Sequence, residues 1–146
     1  MMNSITEGIL SQPIEGLDTE KLKNEFKNNN PIPWISMDNF LDSEFVKDLK
    51  SELDYEYTNN KDKHKIFTRA GSNMFEVLDN HLYPNAFKLI SVVHSKTFID
   101  FLEKTTGVKG LICDPHLVGA GYMRCGKGDS LKIHTDFNWN DQLYLH

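Results

Sequence analysis

Hydrophobic and polar positions along the chain change their period near residue 107. Before that point, apolar residues recur largely at helical spacing. After it they come in short or alternating runs broken by glycine. Leu22 and Phe26, at i and i+4, predict a short amphipathic helix over residues 18–27, and the run NNNPIP ends it. WISMDNF alternates apolar and polar residues and predicts a strand. Asp42 is placed to cap a following helix, one face of which carries Phe45, Val46, Leu49 and Leu53. YTNNKDKHK is polar throughout and predicts an exposed loop, with the charge run at 61–65 on a solvated surface.

The segment LYPNAFKLISVVHSKTFIDFLEKTTG predicts two helices. Pro84 suits the first turn of one, and Gly107 suits the position just past the end of the other. GLICDPHLVGAGYMRCGKGDSLKIHTDFN then has the glycine-punctuated pattern of β-hairpins. Residues 1–16 carry too little pattern to predict more than a flexible lead-in, and 17–146 read as a single domain. Helices come first and strands last, which is an α+β layout without internal repeats or low-complexity segments.

That layout carries a tension. Two or three strands at the C-terminal end cannot close a barrel or sandwich, which needs several more. Their apolar face needs cover from the helices, from another chain or from a continuation. The expectation is a C-terminally incomplete domain, and its open sheet makes a homodimer a candidate assembly.

Composition narrows the class. With 146 residues, 39% hydrophobic and 25% charged, the chain is long and apolar enough to bury a core. Net charge is −5, and Arg69 and Arg124 are the only arginines among sixteen basic residues. No basic block or arginine stripe is present, so nucleic acid is not an expected partner. No run of about 18 apolar residues exists, so no membrane span is expected. MMNSITEGIL lacks the basic and long apolar regions of a secretory signal. Cys113 and Cys125 match neither a zinc nor a redox spacing. These features predict a cytoplasmic protein with free thiols; a bond between neighbouring strands would need an oxidising compartment.

The candidate chemistry lies in SLKIHTDFNWN. If residues 131–137 form a strand, His134 and Asp136 point to one face together with Lys132. Ile133, Thr135 and Phe137 point to the other. A neutral imidazole nitrogen and a carboxylate oxygen at i, i+2 can take adjacent positions on one metal ion. They are two-thirds of the 2-His-1-carboxylate set that leaves open positions on non-haem Fe(II). A lone His-x-Asp is common by chance, and its ordinary meaning is a hydrogen-bonded polar pair on a sheet face.

Context favours the metal. The run DPHLVGAGYMRCGKGDSLKIHTDFNWN has Asp114-Pro115 at its start, Gly119 and Gly121 in a glycine-rich strand, a CGKG hairpin, and then LKIHTDFN. It resembles the first half of the catalytic core of the prolyl-4-hydroxylase-like 2-oxoglutarate/Fe(II) oxygenases, the bacterial and phage-type members most of all. The preceding SKTFIDFLEKTTGVKGLICDP also resembles that family, as a helix packed on the barrel followed by its leading strand. The resemblance covers roughly residues 85–145.

The resemblance implies a double-stranded β-helix, or jelly roll, with helices packed on one sheet. It implies hydroxylation of a small-molecule or peptide substrate coupled to decarboxylation of 2-oxoglutarate. Fe(II) and 2-oxoglutarate are the implied cofactors, with ascorbate a candidate third. His134 and Asp136 become the first two iron ligands. The family's third ligand is a His on a later strand, followed by a basic residue that pairs the far carboxylate of 2-oxoglutarate; neither position falls within these residues. His146 is the local candidate for a third ligand, although chain ends are usually poorly held. Tyr122 is the candidate to hydrogen-bond 2-oxoglutarate; otherwise it is an amphipathic strand tyrosine. Arg124 shares that ambiguity. Lys132 could face a carboxylate or pair with Asp136, and His116 reads as a loop histidine. Asn138 and Trp139 are candidates to line the substrate mouth, or else are turn and rim residues.

Two protein ligands make a weak site, so the 146 residues alone are expected to bind Fe(II) poorly and to turn over slowly or not at all. Two alternatives remain: a non-catalytic binding or self-associating module of the same ancestry, and a plain α+β domain whose His-x-Asp is structural.

Overall fold

The computed structural model describes residues 6–60, 65–67, 74–77, 83–117, 121–125 and 127. Four helices dominate: α1 (Thr19–Asn28), α2 (Ser43–Asn60), α3 (Pro84–Val93) and α4 (Lys96–Thr106). Three short strands, β1 (Lys65–Phe67), β2 (Met74–Val77) and β3 (Tyr122–Arg124), form one antiparallel sheet in the order β1-β2-β3. The register pairs Ile66 with Phe75, and Glu76 with Met123. Two of the strands therefore lie between α2 and α3, not after the helices. Strands β2 and β3 are neighbours in the sheet, although α3 and α4 separate them in the chain. The expected strand around LKIHTDFN lies outside the described residues.

Local chemistry explains the helix ends. The Asp18 carboxylate accepts the Lys21 amide at 3.0 Å and opens α1, within a residue of the expected start. The Asp42 carboxylate accepts the amides of Glu44 (3.0 Å) and Phe45 (3.1 Å), the cap expected for α2. Ser95 caps α4 through the Phe98 amide at 3.2 Å, and Gly107 ends it in the left-handed region at φ 81°. That conformation favours a residue without Cβ.

Helix α2 runs on through YTNN, where the polar pattern had suggested a loop. Three side chains there reach back one turn: Thr58 Oγ1 donates to the Asp54 carbonyl at 2.8 Å and Asn59 Nδ2 to the Tyr55 carbonyl at 2.8 Å, while Asn60 Nδ2 donates to Glu56 Oε2 at 2.7 Å. Residues 61–64 lie outside the description.

Helix α3 is capped from a distance. Its N-cap residue, Tyr83, makes no side-chain cap, and Pro84 at N1 has no amide to satisfy. The next two amides are taken by Glu52 of α2: Asn85 N donates at 2.9 Å to one carboxylate oxygen and at 3.1 Å to the other, and Ala86 N donates at 3.2 Å. Asn85 Nδ2 adds a bond at 2.9 Å. A carboxylate here also meets the positive end of the helix dipole.

The core joins α2, α3 and α4 to the N-terminal segment, and Leu22 of α1 packs against it. Ile9, Leu10 and Ile14 are buried with Phe45 and Leu49 of α2, Ala86 and Val92 of α3, and Phe101 of α4. Within the expected lead-in, residues 6–16 thus place Ile9, Leu10 and Ile14 in the core. Leu10 forms a lone antiparallel bridge with Leu41; the Ser11 amide donates to the Phe40 carbonyl at 3.1 Å and the Asp42 amide to the Ile9 carbonyl at 2.9 Å. Those pairings fix three large aliphatic side chains against the helices, and their burial outweighs the weak local pattern. Phe40 lies 6.3 Å from both Phe98 and Phe101, ring centre to ring centre.

WISMDNF is not a strand. The run has no regular structure over 33–37, and Asn39 sits at φ 54°, which breaks an extended path. Its alternation reflects burial without strand pairing: Ile35 and Met37 are half-buried while Trp34, Ser36 and Asp38 are exposed, and Met37 packs against the core.

Candidate functional site

His134, Asp136, Asn138 and Trp139 lie outside the described residues, as do Lys132 and His146. Three sequence candidates fall inside: Tyr122 and Arg124 on β3, and His116 before it. His116 is exposed, and its backbone amide donates to the Asp114 carboxylate at 2.9 Å, the geometry of a tight turn. Among the described residues, no three His, Cys, Asp or Glu side chains converge as a metal site.

Tyr122 is half-buried, and its hydroxyl donates to the Ala86 carbonyl in the first turn of α3 at 2.9 Å. Burial, with the nearby negative charge of Glu52, raises its phenol from 10.0 to about 12. A phenol has one proton to donate. The structure gives that proton to Ala86, so a 2-oxoglutarate carboxylate could take it only by displacing the carbonyl. Tyr122 thus ties β3 to the same turn of α3 that Glu52 ties to α2.

The described residues also form a groove of about 420 Å³ between α2 and β3. Val46, Leu49, Leu53 and Tyr57 line it from the helix, and Tyr122 and Met123 from the strand. Spacings of three and four residues bring the helical set to one face. Arg124 lies over the Tyr57 ring, its guanidinium carbon 3.9 Å from the ring centre, and its Nη1 is 3.3 Å from Asp54 Oδ1. The other Asp54 oxygen pairs with Lys50. The Lys50 hydrogen bond holds the Asp54 carboxyl below its ordinary 3.8; desolvation opposes it, and the charges of Lys50 and Arg124 add to the lowering.

Sequence reasoning placed Phe45, Val46, Leu49 and Leu53 on one helix face. The structure divides that face: Phe45 and Leu49 enter the core, whereas Val46 is 42% exposed at the groove. The groove residues Lys50, Asp54 and Tyr57 were not singled out. Their signal was the i, i+4 Lys50–Asp54 pair beside the apolar stripe, but the opposite wall stands some seventy residues on.

No protein-family model, no curated protein and no solved structure matches the chain. Among the described residues no helix is long and apolar enough to cross a membrane.

Proposed function

We propose that the chain carries the first part of a prolyl-4-hydroxylase-like 2-oxoglutarate/Fe(II) oxygenase core, with His134 and Asp136 as two iron ligands. The observation that carries this reading is the sequence run from Asp114 to Asn140, in which a glycine-rich strand and hairpin lead into His-x-Asp. The order of α4, its Gly107 stop and then β3 supports it, because a helix followed by a strand precedes the ligand segment in the resemblance.

The donor types fit iron: a neutral imidazole and a carboxylate at i, i+2 would share one face of an extended segment, could take neighbouring coordination positions and would leave others open. Bound Fe(II), with 2-oxoglutarate and O₂, supplies the oxidising power for C–H hydroxylation, with succinate and CO₂ as co-products. The chain's own task is to hold the ligand pair rigidly and keep the pocket dry. Asn138 and Trp139, directly after the pair, are assigned to the substrate mouth. The substrate is a small molecule or a peptide.

Mn(II) and 2-oxoglutarate titrations of the 146-residue protein, followed by thermal shift, test the reading. Because two protein ligands make a weak site, the expected result is a small stabilisation, at high concentrations only, that needs both additions together and disappears in His134→Ala and Asp136→Ala. Equal responses from wild type and both variants would remove the ligand assignment and leave a non-catalytic module.

A further inference from the structure

The groove between α2 and β3 has a charge imbalance that the oxygenase reading does not use. Lys50 and Arg124 converge on one carboxylate, Asp54. Among the described residues that line the groove, two cations face one anion, a local positive excess on a chain of net charge −5. All three side chains are substantially exposed, Lys50 at 73%, Arg124 at 47% and Asp54 at 46%, so they stand at the rim. Beneath them the walls are apolar, from Val46, Leu49, Leu53 and Met123. The volume of about 420 Å³ falls within the roughly 300–1,000 Å³ usual for small-molecule sites. The Arg124 guanidinium is already oriented by the Tyr57 ring, and Asp54 takes only part of its five-donor fork.

We infer that this groove binds a small amphipathic carboxylate, with the acid group at the rim beside Asp54, on the sides of Lys50 and Arg124 turned away from it, and the apolar tail along Leu49 and Leu53. The charge complementarity selects the occupant: an apolar ligand would leave the excess cation unmatched, and a cationic one would be repelled by it. The site stands on described residues alone and does not depend on the iron reading.

Backbone amide resonances of the 146-residue protein, titrated with octanoate, octanol and octylammonium, test it. Octanoate is expected to shift resonances of residues 46–57 and 122–125 saturably. Its affinity should exceed that of octanol about tenfold, the worth of one charge-assisted hydrogen bond. Octylammonium should not displace it. Lys50→Ala, at an exposed position that leaves the core untouched, should lose most of the preference for octanoate over octanol, as should Arg124→Gln. Equal affinity for octanoate and octanol, shifts centred outside the groove, or a preference retained in both variants would overturn the inference.

Discussion

Replacing Glu52 with alanine should destabilise the protein through a helix that Glu52 does not belong to. Its carboxylate takes the first two amides of α3, at Asn85 and Ala86. Asn85 is only half-buried, so water can replace part of its bond. Ala86 is 0% exposed, so its amide has no such replacement. An unsatisfied buried donor costs about 1–3 kcal/mol, and loss of a helix cap typically about 1 kcal/mol more. The expected total for Glu52→Ala is therefore about 2–4 kcal/mol. For a chain of this size that corresponds to a fall in Tm of roughly 10 °C. Glu52→Gln keeps one acceptor oxygen but not the charge, and about half of the loss is expected. Urea unfolding followed by far-UV circular dichroism measures both, with an unchanged m-value as the sign of an intact two-state transition. If Glu52→Ala lies within about 0.5 kcal/mol of wild type, the reasoning fails, because a buried Ala86 amide cannot lose its acceptor that cheaply.

Other outcomes follow from the same structure. Leu10→Ala should cost about 2–5 kcal/mol in urea unfolding, as for other buried leucines, and a wild-type-like value would show that residues 6–16 do not hold the core. Gly107→Ala should cost about 1 kcal/mol, because φ 81° places its Cβ against the backbone; an unchanged midpoint would show that the α4 stop does not need that conformation. Tyr122→Phe should cost about 1 kcal/mol at neutral pH by removing the bond to Ala86. The folded phenol, raised from 10.0 to about 12, holds its proton more tightly than the unfolded one. That contribution is therefore complete below about pH 10 and is lost as the pH rises towards 12, and Tyr122→Phe should remove this part of the alkaline decline. An identical alkaline profile for both proteins would show that another group governs it.

The parts of the fold that could be read from the sequence are those decided within a turn or two of chain. Asp18, Asp42, Pro84 and Gly107 each act on amides or angles a few residues away, and α1, α3 and α4 lie close to their expected bounds. What escaped was decided at long range. The Glu52 cap joins positions 33 and 34 residues apart, and nothing near Tyr83 announces it. Ile9, Leu10 and Ile14 form no period of their own and are recruited by the segment after Phe40. β1 and β2, at three and four residues, are too short for alternation to register. WISMDNF showed the opposite failure, an alternation without a partner strand. The proposed His134–Asp136 pair rests on its motif alone, whereas the groove left no motif, because its two walls meet only in the folded chain.

The first turn of α3 is held from both directions along the sequence. Glu52 reaches Ala86 across 34 residues and Tyr122 reaches it across 36. Closing a flexible loop of that length carries an entropic cost of about 3 kcal/mol before its contact gives anything back. Both bonds should therefore form late in folding, after α2 and α3 have wound locally. The clasp then belongs to the barrier against opening more than to the route inward. Variants at Glu52 and Tyr122 should unfold faster in a chevron experiment while their refolding limbs stay close to wild type, so that the lifetime of the native state, rather than its rate of formation, is what these two side chains set.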